Sequence, residues 1–209
     1  MKTMRHILLT AFLLGSAGLF AQGYFILGYG PSFPLGPTKD YIDRASWRSF
    51  NGEGGGFVTK HLSVGVSFSW YGYYKEFPLQ TYYDIEGSKV TVTGKQWRYA
   101  NMYPLMAVVK YYVPIKDLDF RPYAGVGIGA CFVNRTMDFG LYSVTNDDVQ
   151  FGFYPEIGFS YWFNSGFAVS LDGRYNYAIG TKDLPDHSNI TVAVNLIWKF
   201  GARNFTFTD

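Results

Sequence analysis

The chain has 209 residues, 16% of them charged and 20% aromatic, and its formal net charge is +2. A charged fraction below the usual roughly 25%, with no run of Lys or Arg, excludes a nucleic-acid footprint. A single cysteine, Cys131, excludes an internal disulfide, and the length fits one domain.

The first 21 residues read as a leader. Lys2 and Arg5 form a basic start, Ile7–Phe20 is apolar, and Ala21 precedes Gln22. This pattern predicts a secretory signal peptide over residues 1–21, cut after Ala21. No cysteine follows the cleavage point, so no lipid anchor is expected. No later segment holds roughly 18 uninterrupted apolar residues, so no membrane helix is expected either.

Residues 22–200 then show two-residue periodicity. From Leu62 to Trp70, Leu62, Val64, Val66, Phe68 and Trp70 alternate with Ser63, Gly65, Ser67 and Ser69. From Ile190 to Phe200, Ile190, Val192, Val194, Leu196, Trp198 and Phe200 again occupy one parity. Side chains alternate faces along a strand, so each segment has one apolar and one small or polar face. Eight strands are predicted in chain order: Gly23–Phe33, Phe50–Thr59, Leu62–Tyr73, Lys95–Val113, Arg121–Arg135, Gln150–Phe163, Phe167–Ile179 and Asn189–Phe200. Short links (Lys60-His61, Pro114–Phe120, Asn164–Gly166) alternate with long ones (Pro34–Ser49, Tyr74–Gly94, Thr136–Val149, Gly180–Ser188). Within the long links, Thr38–Ala45 predicts a helical turn and Ser88–Thr93 a hairpin extension. Residues 201–209 form a C-terminal tail.

Two architectures bury such faces. A soluble exported barrel turns the apolar parity inward, whereas an outer-membrane barrel turns it outward to lipid. The apolar parity is rich in Trp, Tyr and Phe, and the other is rich in Gly, Ser and Ala but poor in Lys and Glu. Aromatic residues also cluster at the strand ends, as at a water–lipid boundary. An all-β, eight-stranded antiparallel up-and-down transmembrane β-barrel is therefore predicted, with short periplasmic turns and long outer loops.

On that parity the interior receives Glu53, Glu156 and Asp172 alongside Arg98, Lys110 and Arg174. Charges of both signs in so narrow a barrel fit a hydrogen-bonded plug, or a polar ion path if voids remain. Gly125, Gly127 and Gly129 leave room on one wall. Pro104 and Pro155, on the flanking strands, remove ladder donors. Together the five residues define a candidate lateral opening, the alternative being bulges that set curvature.

Catalytic signatures are weak. No G-x-S-x-G, H-E-x-x-H, P-loop or paired-cysteine spacing occurs. His187, beside Asp186 and Ser188, is placed in the last outer loop as a solvated residue. Asp147-Asp148 and Asp183/Asp186 read as exposed loop acids, the alternative being contact with a divalent cation or with lipopolysaccharide counter-ions. No cofactor, metal site or catalytic residue is expected.

The leader, the strand layout, the segment Arg121-Pro122-Tyr123-Ala124-Gly125-Val126-Gly127-Ile128-Gly129 and the aromatic-ended last strand resemble small outer-membrane β-barrel proteins. The nearest are the outer-membrane protein W-like and X-like barrels of Bacteroidota type. The resemblance implies a non-enzymatic protein of a Gram-negative outer membrane, structural or passing small hydrophobic solutes. It implies outer-membrane lipids, lipopolysaccharide and the barrel-assembly machinery as partners. A lipid-modifying enzyme and a docking subunit of an envelope secretion assembly stand as alternatives. In these barrels the assembly machinery reads a terminal aromatic. Here the candidate, Phe200, is followed by a tail containing Phe205 and Phe207.

Overall fold

The computed structural model describes residues 22–82, 91–115, 119–140 and 142–201. The expected leader, residues 202–209 of the tail and Ser88–Val90 of the expected hairpin lie outside the described residues. Among the described residues nine strands and one helix follow in order: β1 Gly23–Tyr29, β2 Ser32–Leu35, α1 Gly36–Tyr41, β3 Arg48–Phe57, β4 Leu62–Tyr82, β5 Val92–Tyr112, β6 Phe120–Phe139, β7 Tyr142–Asn164, β8 Phe167–Ala178 and β9 His187–Phe200. The sheet runs β1-β3-β4-β5-β6-β7-β8-β9 and closes on itself where β1 pairs with β9. Every pairing is antiparallel.

Strands β1 and β2 both lie on β9, so they share one wall position and the ring has eight. The continuous strand expected over Gly23–Phe33 is broken at Gly30-Pro31. Pro31 has no N–H to give the ladder. A Cβ at Gly30 would lie 1.9 Å from the carbonyl oxygen of Val192, so only glycine fits where the chain crosses β9. Of the helical turn expected over Thr38–Ala45, only Thr38–Tyr41 is helical; the helix, α1, starts earlier, and its second residue is Pro37 in the first turn, where proline's missing donor has no cost.

Burial is inverted relative to a water-soluble fold. Val66, Ile157 and Val194 are 55%, 70% and 54% exposed, while Glu53, Lys110 and Arg174 are 1%, 1% and 2% exposed. Apolar side chains outside and buried charges inside describe a wall solvated by lipid. No helix among the described residues is long and apolar enough to cross a membrane; the strands make the crossing.

The strands of one half-wall outrun the membrane. β4, β5, β6 and β7 have 21, 21, 20 and 23 residues, whereas a tilted strand needs about 9–11 to span. Their periplasmic ends stay aligned, since Leu62 pairs with Tyr111 and Tyr112 with Tyr123. The excess therefore rises on the outer side. Most of what reads in sequence as long loops (Tyr74–Gly94 and Thr136–Val149) is hairpin, held by the Tyr74–Tyr99 ring pair and by hydrogen bonds between Thr81 and Thr93 and between Thr136 and Thr145. Polar–apolar alternation ends where lipid ends, while backbone pairing carries on.

Candidate functional site

The lumen is the site that the sequence singles out, and side chains cross it at several levels. Near the periplasmic end the Lys199 ammonium sits over the rings of Phe57 and Trp162, at 4.3 and 4.0 Å. Above it lies a chain of ion pairs. Lys110 on β5 contacts Glu53 on β3 at 2.8 Å and Glu156 on β7 at 2.9 Å. Arg174 on β8 contacts Glu156 at 2.7 Å and Asp172 at 3.5 Å. Positions β3 and β7 are four apart in a ring of eight, so Glu53–Lys110–Glu156 spans the full width.

Neutral donors complete the network. Tyr24 donates to Glu53 at 2.8 Å, while Asn195 and Tyr123 donate to Asp172 at 2.7 and 3.2 Å. Such donors make burial of these carboxylates tolerable, because a charge removed from water needs both a counter-ion and hydrogen bonds. Higher up, Ser67 and Tyr154 hydrogen-bond across the lumen at 3.0 Å, and Tyr71 donates to Asn176 on the opposite wall at 3.3 Å. The structure thus brings together five of the six expected interior charges.

Arg98 is not among them. It lies twelve residues from Lys110 along β5, roughly 40 Å of extended chain. Its Nε donates to Gln96 and its Nη1 to the carbonyl oxygen of Tyr41, at 3.0 and 3.3 Å. Parity was read correctly there, but parity says nothing about height along a strand.

The outer mouth is capped from within the chain. The end of α1 and the segment after it turn over the opening. The Tyr41 hydroxyl donates to the carbonyl oxygen of Thr136 at 3.2 Å, and the guanidinium groups of Arg98 and Arg135 lie 5.1 and 4.7 Å from its ring. Ile42 is fully buried among Tyr71, Tyr73, Met102, Val133 and Leu184. Lys75 meets Asp43 at 2.6 Å, and this hydrogen bond holds the Asp43 carboxyl below its ordinary range. Beneath the cap, Arg135 Nε donates to His187 Nε2 at 2.8 Å, and His187 Nδ1 meets Gln150 Oε1 at 3.0 Å.

His187 is therefore not the solvated loop residue expected from sequence. It opens β9, points inward and is 0% exposed, sharing parity with Asn189 and Thr191. Ser188 Oγ donates to the carbonyl oxygen of Leu35, and Asp186 accepts from Tyr177 and from the Gly180 N–H. The three neighbours in sequence do not form one constellation. Arg135 went unrecognised because its strand was drawn to end there, although its parity with Cys131 and Val133 marks it as inward.

The three glycines of the expected lateral opening are backed by neighbouring atoms rather than by open space. A Cβ on Gly127 would lie 2.4 Å from the Tyr154 ring, and one on Gly125 2.9 Å from Lys110 Cγ. A Cβ on Gly129 would lie 2.2 Å from the Leu105 carbonyl oxygen. The room on this wall is filled by large neighbours that the glycines admit. Pairing runs unbroken across β5–β6 at Pro104↔Cys131 and across β6–β7 at Pro155↔Val126. It lapses on the far sides of those strands instead. Ser69 and Trp70 do not pair with Pro104 and Tyr103, nor Tyr154 and Pro155 with Asn176 and Tyr175, and both ladders resume in the same register. The missing proline donors thus face β4 and β8.

A family model described as "Outer membrane protein beta-barrel domain" matches residues 7–200. The chain belongs to that family. Among solved structures it is similar to Ail, the attachment invasion locus protein of Yersinia pestis, with 14% identity over 87% of this chain and 99% of that one, and a TM-score of 0.53. Neisserial surface protein A is 17% identical over 86% and 96% of the two chains, with a TM-score of 0.51. OprG from Pseudomonas aeruginosa is 12% identical over 88% and 98%, with a TM-score of 0.51. Comparison with curated protein sequences returns no match. At these identities the likeness is one of fold. This member of the outer-membrane β-barrel family is an integral protein of a Gram-negative outer membrane, and lipid surrounds the apolar face described above.

Proposed function

We propose that this is a non-enzymatic, closed barrel that stabilises the outer membrane and acts through its outward surface rather than through its lumen. The observation that carries the reading is the ion-paired chain Glu53–Lys110–Glu156–Arg174, which occupies the full width of the lumen. The cap over the outer mouth and the Lys199–Phe57–Trp162 cluster near the periplasmic end support it. A path for ions needs a continuous aqueous column, and side chains hydrogen-bonded to opposite walls displace one. His187 argues the same way against lipid chemistry, because its ring nitrogens meet Gln150 and Arg135 and leave no nucleophile to activate. Contact with the assembly machinery rests on Phe200, which is 61% exposed at the periplasmic end of β9.

Planar-bilayer recording of the folded mature protein tests the proposal. Wild-type protein should give no steady conductance, while Lys110→Ala with Tyr154→Ala should open a leak. Steady wild-type conductance, or faster uptake of small apolar solutes into liposomes carrying the protein, would overturn the closed-lumen reading. Lipid profiles that change with wild-type but not His187→Ala protein would instead make it an enzyme.

A further inference from the structure

Gln22, immediately before β1, sits at the periplasmic mouth of the lumen. It shares the inward parity of Tyr24 and is 5% exposed. Its carbonyl oxygen accepts from the Phe57 N–H at 2.9 Å, and the next residue, Gly23, pairs with Gly56 on β3 and Phe200 on β9. The side-chain Oε1 is buried and has no hydrogen-bond partner among the described residues. The surroundings are cationic. Lys199 pairs with Tyr24 and so lies diagonal to Gln22 on the inward face, with its ammonium over the rings of Phe57 and Trp162. The Arg121 guanidinium lies 5.6 Å from the Trp162 ring, and the Asp119 carboxylate acts on it.

We propose that the exported chain begins at Gln22 and that this residue is closed to pyroglutamate. A leader cut after Ala21 leaves Gln22 with a free α-amine, which near neutral pH is partly protonated. That amine would add a third cation to a mouth that already holds Lys199 and Arg121. The glutamine side chain has the reach to close an unstrained ring on its own α-nitrogen. The α-nitrogen attacks Cδ, the new N–Cδ bond forms, and the bond from Cδ to Nε2 breaks. Nε2 leaves as ammonia with a proton given up by the amine, so nothing is oxidised or reduced and no co-reactant is consumed. Closure removes the added charge, which its cationic neighbours disfavour. It also draws Oε1 out of its unpartnered position, where a buried polar atom is costly, back to the start of the backbone. The closed end protects the seam where β1 meets β9, because aminopeptidases require a free α-amine. Trimming past Gly23 would remove Tyr24, which donates to Glu53 at 2.8 Å, from both the seam and the lumen network.

Mass spectrometry of the N-terminal peptide, from protein extracted from its native membranes, tests the proposal. Digestion is kept mild enough that an added synthetic peptide starting with Gln stays open. The native peptide should start at Gln22 and be lighter by one ammonia. Edman degradation of the unfolded chain should be blocked, and pyroglutamyl aminopeptidase should lift the block and expose Gly23. Gln22→Asn, whose shorter amide cannot close the ring, should give a readable N-terminus and lose residues to a general aminopeptidase that leaves unfolded wild type intact. An open Gln22 in the native peptide would overturn the proposal, and so would a chain that starts at another residue. Trimming of wild type as fast as Gln22→Asn would overturn it too.

Discussion

Replacing Lys110 by Met isolates the logic of the filled lumen. In the native barrel two cations, Lys110 and Arg174, face three carboxylates, Glu53, Glu156 and Asp172. Met fills similar space but leaves Glu53 with no ion-pair partner and Glu156 with Arg174 alone. Stranding a buried charge in this way costs about 3–5 kcal/mol, a large share of the roughly 5–15 kcal/mol that a folded domain commands. Adding Glu53→Gln removes the stranded charge, and the neutral amide can still accept from Tyr24. The double variant should therefore be more stable than the sum of the single losses predicts, by about 1–3 kcal/mol. Reversible urea unfolding in detergent or thin-bilayer vesicles, followed by the heat-modifiable gel shift, measures all four corners of the cycle. Additivity within about 0.5 kcal/mol would show that Lys110 and Glu53 each face water rather than one another, and the filled-lumen argument would fall with that result.

Arginine in place of Val194, 54% exposed on the lipid face, should cost about 2–4 kcal/mol if that site lies near the bilayer midplane; the same unfolding assay reports it, and a neutral result would contradict the outward parity. Gly127→Ala should destabilise by about 1–3 kcal/mol, because the new Cβ would meet the Tyr154 ring at 2.4 Å. Gly173→Ala, with nothing within 4 Å, should be neutral or stabilising by about 0.5–1 kcal/mol; losses of equal size at both positions would refute the packing argument. Acidification should loosen the outer loops selectively. Asp43, Asp148 and Asp186 are held below the ordinary carboxylate range by hydrogen bonds from Lys75, Thr181 and Tyr177 respectively. Their contribution is present above the unfolded value of about 3.9 and is lost as pH falls through the lower folded values. Hydrogen-exchange protection of residues 179–186, corrected for the intrinsic pH dependence of amide exchange, should hold steady from neutral pH to about 4 and fall below it, whereas loosening near pH 6 would point to other groups.

The membrane-spanning wall was legible because lipid imposes a two-residue pattern on it. Val66, Leu171 and Val194 must face out, and Ser67, Asp172 and Asn195 must face in. The outer hairpins were hidden for the converse reason: above the lipid neither face needs to be apolar, and Tyr74–Tyr82 carries no alternation that a hydropathy reading would catch. Parity likewise gathered Glu53, Lys110, Glu156, Asp172 and Arg174 into one interior. It misassigned Arg98 to the same group because parity carries no level: Arg98 lies twelve residues from Lys110 along β5. The cap was partly visible as a helical turn, but the burial of Ile42 depends on β4, β5, β6 and the Leu184 loop converging above the barrel. The prolines were correctly read as interrupting pairing, yet sequence does not say which of a strand's two ladders loses its donor.

The cost of burying five charges has a return in register. Lipid is as apolar as the outer face it surrounds, so the exterior offers little preference among competing pairings beyond keeping polar groups out. A one-residue slip of any strand exchanges its two faces. Slipping β5 would turn Lys110 outward, slipping β8 would turn out Arg174 and Asp172 together, and a cation at the bilayer centre costs about 2–4 kcal/mol. Each slip would also strand the partners left inside. Four strands (β3, β5, β7 and β8) are tied by this network, while β1, β4, β6 and β9 are tied to it or across the lumen by Tyr24, Ser67, Tyr123 and Asn195. Every wall position therefore has at least one polar side chain whose partner exists only in the native register. That is a stronger demand on the interior than conduction would make, since water lining a pore accepts a displaced charge without penalty.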